Sequence, residues 1–310
     1  MSLLASRRLI LAKQETTYGE DPDPPPSADD AILLRNLTLS PLDGGTVDRS
    51  FITPYLGASP KAQVNSHRRL EFEVEATGSG MRGTAPVWGA LLKACASKET
   101  INSGVSAVYS PVSDGFDSIA IYHHLQGQLA KLLGARGTFT FSLTAQNLPV
   151  FKFAYTGLWR PTNQALQPAP VYAAQPLLQP ASFANTPTFL LHGQAMVMKS
   201  IEINMGLQVV YRNLVGYEGV EITDRSVTAT LTCEWPTVAD LDVESLAKND
   251  ITGPLQLIHG TTAGNIVQID APKVQFLDPK QSEDQGIMML QCTLLFQPDM
   301  GNDEIIFTSR

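Results

Sequence analysis

The chain has 310 residues, 43% of them apolar and 17% charged, with a net charge of −8. That length accommodates two domains, each able to bury a core of its own. The acidic balance, with no cluster of Lys or Arg, excludes an electrostatic grip on nucleic acid. Three cysteines, Cys95, Cys233 and Cys292, lie far apart without a C-x-x-C pair, which speaks against a disulfide scaffold and for a reducing compartment.

Arg7 and Arg8 are followed by an apolar run of only Leu9–Ala12, too short for a secretory core. No apolar stretch approaches the length of a membrane span, so no membrane anchor is expected. Pro22, Pro24, Pro25 and Pro26 forbid helix or central strand there and predict an extended N-terminal arm over residues 1–31. A second proline-rich segment, 160–187, predicts a semi-rigid linker. It leaves two nearly equal units, 32–159 and 188–310.

In the first unit, the Gly- and Pro-bearing segment from Asp43 to His67 is predicted as a long loop, too long for an idle connector. Arg69–Ala76 alternates strictly. Leu70, Phe72, Val74 and Ala76 fall on one face, and Arg69, Glu71, Glu73 and Glu75 on the other, a strand with one buried and one wet side. Thr84 is the expected cap of a short helix carrying Val87, Trp88, Leu91, Leu92 and Cys95. Strands are expected at 118–125, 138–145 and 150–158.

The second unit repeats the theme. Ser226–Cys233 puts Val227, Ala229, Leu231 and Cys233 inward and Ser226, Thr228, Thr230 and Thr232 outward. Thr237 and Asp240 form a capping-box-like start to an expected helix over 238–248. Strands are expected at 266–277 and 286–296. Arg68 aligns with Arg225, Thr84 with Thr237, and Leu37–Leu39 with Ile201–Ile203, which suggests an internal duplication; two unrelated β-rich halves are the alternative. Strand runs with one helix per half predict a mainly β protein: two tandem antiparallel β-sandwich or barrel domains, each with a flanking helix.

Several patterns suggest chemistry without supporting it. Gly78-Ser-Gly-Met-Arg-Gly83 matches G-x-G-x-x-G between a strand and a helix. The preceding strand has a wet acidic face, unlike the doubly buried strand of a dinucleotide fold, and the second half has no glycines there; a flexible turn is the better reading. His123 and His124 are adjacent on a strand and point to opposite faces, with no ligand-spaced neighbours, so one is expected to be packed and the other at the surface. Cys95 on an apolar helix face is expected to be inert. No catalytic, cofactor-binding or metal-binding residue is assigned, and no enzyme is expected. The Glu71, Glu73 and Glu75 stripe is either an ordinary solvated face paired with Lys and Arg, or a deliberately electronegative surface.

The segments Gly134–Ala145 (GARGTFTFSLTA) and Phe151–Trp159 (FKFAYTGLW), together with Lys13–Pro22 and the following Ala31–Leu34, resemble the tail tube (major tail) proteins of long-tailed bacteriophages. The resemblance covers most of residues 10–160, and the second half only through the duplication. It implies a tail-tube-like β-fold that polymerises into stacked rings around a channel for the tape measure protein and the genome. With two tube domains per chain, three chains would complete a pseudo-sixfold ring.

It also implies contacts with copies of itself and with tail terminator and distal tail proteins, DNA only in transit, and a place in the virion tail after assembly in the bacterial cytoplasm. The lumen-facing candidates are Glu71, Glu73, Glu75, Thr228, Thr230 and Thr232. The inter-ring candidates are Asp43, Gly44, Gly45, Phe51, Tyr55, Gly57 and Pro60, and both their loop and the N-terminal arm are expected to order on assembly. The alternatives are a two-domain carbohydrate- or receptor-binding β-sandwich module and an oxidoreductase using the glycine turn.

Overall fold

The computed structural model describes residues 3–310. The first half contains β1 (Arg8–Gln14), β2 (Ala31–Ile32), β3 (Arg35–Asp48), β4 (Lys61–Glu75), α1 (Val87–Lys93), β5 (Ser97–Asn102), β6 (Ser106–Pro111), β7 (Ile119–Leu125), β8 (Gln128–Thr144) and β9 (Val150–Trp159). A short β10 (Asn163–Gln164) lies in the proline-rich segment. The second half contains β11 (Thr188–Leu191), β12 (Gln194–Ala195), β13 (Met198–Asn204), β14 (Gln208–Leu214), β15 (Tyr217–Asp224), β16 (Thr228–Glu234), α2 (Val243–Lys248), β17 (Thr252–His259), β18 (Val267–Asp284), β19 (Ile287–Gln297) and β20 (Ile306–Ser309). The protein is mainly β and its strand pairs are antiparallel, as the alternation predicts.

One hydrogen-bonded path runs through the middle of the molecule in the order β3-β4-β9-β8-β13-β16-β19-β18. Its centre is the pairing of β8 with β13, from Ser200 opposite Thr144 to Asn204 opposite Thr140, which joins the two halves. The order β3-β4-β9-β8 in the first half recurs as β13-β16-β19-β18 in the second, and a short helix follows β4 in one and β16 in the other. Arg68 and Arg225, aligned by sequence, behave alike: each guanidinium is largely buried and donates from all three nitrogens.

The inward face of this sheet is apolar from end to end. Phe72, Phe153 and Phe139 make one rung, and Phe151 and Phe141 another, with Ile201, Ile203, Leu231, Cys292, Leu294 and Phe276 continuing it. Trp88 of α1 packs on this layer 5.0 Å from Phe151, and its indole N–H donates to the Thr77 carbonyl at 2.6 Å. A buried aromatic of this size contributes roughly 3–5 kcal/mol relative to alanine, and its paired N–H removes the cost of burying a donor.

Four expectations are corrected by the structure. Residues 8–14 of the expected arm are not free: β1 buries Leu9, Ile10 and Leu11 and pairs with β7 from Arg8–Leu125 to Gln14–Ile119. The short apolar run that is too brief for a signal is long enough for one buried strand. The expected loop Asp43–His67 is mostly hairpin, because β3 and β4 stay paired out to Asp48 and Lys61, leaving a loop over 49–60. Pro86, not Thr84, stands at the N-cap of α1, whose fixed φ suits a helix start. Thr237 and Asp240 do bond each other, but they close a separate turn; α2 begins later, where Asp242 accepts from the Ser245 N–H at 3.0 Å.

Candidate assembly surface

The strands that bury one side of the central sheet expose the other, and alternation makes that second face polar. From β4 it presents Glu71, Glu73 and Glu75, from β9 Lys152, and from β8 Thr138, Thr140 and Ser142. From β13 it presents Ser200, Glu202 and Asn204, from β16 Thr228, Thr230 and Thr232, and from β19 Gln291 and Thr293. One rung runs Glu73–Lys152–Thr140–Asn204–Thr228, and the next Glu75–Val150–Ser142–Glu202–Thr230–Thr293. The two polar stripes read separately from the two halves therefore lie on one continuous surface.

Its electrostatics are acidic but partly compensated. Arg69 reaches Glu71 at 3.0 Å, and Asn36 Nδ2 donates to Glu73 at 2.8 Å. Lys152 sits opposite Glu73 in register, yet its ammonium bonds Glu202 of the other half at 3.3 Å. All these groups are solvated, so each contact is worth at most about 1 kcal/mol. Alternation in the sequence identified the two stripes; Lys152, Glu202 and the Thr138–Ser142 stripe between them were not identified as part of the same surface, because a period of two names a strand's face and not its neighbours.

The second group of candidates gathers on the β3–β4 hairpin. Asp43, Gly44 and Gly45 lie on β3, at an irregular stretch where Asp43 Oδ1 accepts from the Gly44 N–H at 2.8 Å. A Cβ on Gly44 would meet the Val64 carbonyl oxygen at 2.6 Å, at a φ of +144°, so glycine is required. Phe51, Tyr55 and Gly57 lie in the 49–60 loop, and Pro60 closes it. That tip exposes Ile52 and Leu56 completely as well as Tyr55, two apolar side chains that sequence reading passed over. Single exposed apolar residues are ordinary, but four on one loop form a patch suited to contact.

The glycine turn has a different employment. Gly78 N–H donates to Asn265 Oδ1 at 2.7 Å and Gly80 N–H to the Gly264 carbonyl at 2.9 Å. A Cβ on Gly78 would lie 2.0 Å from that same Gly264 oxygen. The glycines let two backbones from opposite halves touch, and their N–H groups are spent on that contact. His123 and His124 are both buried, neither at the surface as expected for one of them, because β7 is paired on both sides by β1 and β8; burial with nearby Arg8 holds His123 down to about 4. Burial pushes the thiols of Cys95, Cys233 and Cys292 up to about 12, where they stay protonated and unreactive. Among the described residues, no three His, Cys, Asp or Glu side chains come together as a metal-binding group, and no helix is long and apolar enough to cross a membrane.

No curated protein matches the chain. A profile described as phage tail tube protein matches residues 5–298, nearly the whole length, and through that match this chain belongs to the phage tail tube protein family.

Proposed function

We propose that the chain is the structural subunit of a phage tail tube in which three copies form a pseudo-sixfold ring, rings stack, and the polar face of the central sheet lines the channel. The observation that carries this is the continuous sheet that is apolar on one side and polar on the other across both halves. Such a sheet is half of a wall: it has a core behind it and water in front. We take the recurrence of β3-β4-β9-β8 as β13-β16-β19-β18 as the mark of two tandem tube modules, with the proline-rich segment 160–187 between them.

Three chains of eight strands each would close about twenty-four strands, giving a backbone diameter of roughly 45–50 Å at ordinary spacing and tilt. Barrels with fewer strands already leave an aqueous channel. A wall of Glu, Thr and Ser with few cations lets a polyanion slide, since it offers little counterion release to hold it. Glu71, Glu73, Glu75, Thr228, Thr230 and Thr232 are assigned to that lumen. The 49–60 tip, with Phe51, Ile52, Tyr55 and Leu56, is assigned to the adjacent ring, where an apolar patch finds cover.

The role is mechanical, without catalysis or cofactor. Its partners are other copies, the tape measure protein inside the tube, and the terminator and distal tail proteins at its ends, in a virion tail put together in the bacterial cytoplasm. Electron microscopy of assembled tubes tests the reading. Rings of three chains with the β4–β9–β8–β13–β16–β19 face inward are expected. Six chains per ring, or an apolar or strongly basic lumen, overturn it.

A further inference from the structure

A second joint between the halves lies across the core from β8–β13, and it is made by a segment beyond residues 5–298, the part that matches the tail tube family. β20 sits between strands of both halves. Phe307–Ser309 pair with Tyr109–Ala107 of β6, and Ile306–Ser309 with Asp270–Val267 of β18. A second hydrogen-bonded path thus runs β5-β6-β20-β18-β17-β11 from the first half into the second. The Phe307 ring enters the core and stands 5.5 Å from Phe139 and 5.7 Å from Phe151, both on first-half strands. Ile305, just before β20, is fully buried.

The approach to β20 is anchored across the halves as well. Arg225 of the second half pairs with Glu304, and it donates to the Val112 carbonyl of the first half at 2.7 Å and to Asn302 Oδ1 at 3.1 Å. Both members of the ion pair are largely buried, so removing either leaves the other charge uncompensated. In the recurring order, β10 follows β9 as β20 follows β19, and it pairs with Gln128 and Leu129 at the start of β8. Yet β10 has only two residues, both exposed, and joins no second strand among the described residues. This place in the fold is a joint in the second half alone.

We propose that residues 299–310 are a brace that holds the two halves at one fixed angle, the angle each chain brings to the ring. The consequence for the ring rests on the tube reading above; the brace itself stands on the subunit. Adjacent strands twist against each other over a range of about 10–35°, so the β8–β13 ladder alone leaves the halves free to rock about its line. A second ladder on the far side of the core removes that freedom. Without β20, the edges of β6 and of residues 267–270 would also lie open. In a ring of three, every copy must hold the closing angle at once.

Spin labels read the angle directly. Lys98→Cys in the first half and Lys248→Cys in the second carry them at exposed positions, and the native thiols are buried. The distance between labels is expected to be single and narrow in the parent. It is expected to broaden in Thr308→Pro, which removes a ladder donor from β20 and spares the core. Chains that spend half their time off the closing angle should form three-copy rings about eightfold less often, since all three must be competent together. Val108→Cys/Thr308→Cys places thiols on directly opposed residues. Oxidised in a Phe307→Ala background, that pair is expected to restore the rings that Phe307→Ala alone loses. An equally narrow distance in Thr308→Pro, or a completed cross-link that leaves ring yield at the Phe307→Ala level, overturns the brace. Should both variants unfold, hydrogen exchange of the unaltered free subunit decides. Amides of 306–309 exchange as slowly as those of 201–203 if the brace holds, and exchange at the rate of loop amides overturns it. A parent with a narrow distance that forms no ring overturns the tube reading and leaves the brace standing.

Discussion

Lys152 on β9 and Glu202 on β13 meet at 3.3 Å across the strand that joins the two halves, an ion pair between halves on the polar face of the sheet. Directly beneath, Ile201 and Ile203 of β13 are fully buried against Leu143 and Phe141. The two layers of this junction should differ sharply in worth. Both charged side chains are about half exposed, so Lys152→Ala or Glu202→Ala is expected to cost less than about 1 kcal/mol. Ile203→Ala leaves a cavity between halves and is expected to cost about 2–5 kcal/mol. Urea unfolding of the subunit measures both.

Acid should destabilise the subunit before carboxylates protonate. Burial lowers all four of His123, His124, His192 and His259, with His123 held to about 4 by burial first and then by Arg8, His124 and Arg68. In the unfolded chain these groups titrate near pH 6.5. Folded-state values below that mean full stability above about pH 6.5 and progressive loss as pH falls through the folded value near 4. His123 alone accounts for at most about 3 kcal/mol of this. His123→Gln should flatten the decline in unfolding midpoint between pH 7 and 4.5, and an unchanged slope would count against it.

Shortening the hairpin separates folding from assembly. Residues 45–48 pair with 61–64, so a deletion that spares them, Ser50–Ser59, removes the exposed apolar tip and leaves the strands closed by a tighter turn. The subunit is expected to melt within a few degrees of the parent while tubes fail to elongate. Tubes of normal length from this variant would remove the tip from the stacking contact.

Reversing the acidic stripe probes the channel. Glu71, Glu73 and Glu75 replaced together by Lys should leave the fold intact, since all three lie on the solvated side of β4. If that side faces the genome, the added cations bind passing phosphates with a steep salt dependence. Slower DNA release from otherwise complete particles, relieved by higher ionic strength, is the expected outcome; unaltered release at low salt contradicts the placement.

Gly264 offers a backbone test of the contact between the glycine turn and the 260–265 loop. Its φ is +83°, and an added Cβ would lie 2.5 Å from the Gly80 carbonyl. Gly264→Ala is expected to cost more than about 1 kcal/mol from the left-handed conformation together with the clash. Gly301→Ala, at φ +97° with open space around it, supplies the conformational cost alone. Thermal melts of both isolate the packing contribution.

Strands whose two faces differ were legible in the sequence. Arg69–Ala76, Thr138–Ala145 and Ser226–Cys233 fall on β4, β8 and β16, to within two residues at one end, with the predicted sides buried. Strands β1, β14 and β15 were not, because Leu9–Ala12 is buried on both faces and β14 and β15 are solvated on most of their length, so neither shows a clean period of two. Helix existence was legible and helix starts were not: Thr84 and Thr237 are good caps locally, but the chain turns before it coils, and Pro86 and Asp242 stand at the actual starts.

By itself, the order of residues determined which side of each central strand avoids water and that the chain is mainly β. These are local properties, set by alternation over a few residues. Only the tertiary structure decided that β8 takes β13 as its neighbour, so that the Glu stripe of one half and the Thr stripe of the other share a surface, and that the glycine turn is filled by backbone from the far half. Strand pairing joins residues distant along the chain, and alternation, which is equally satisfied by any partner in register, holds no record of that choice.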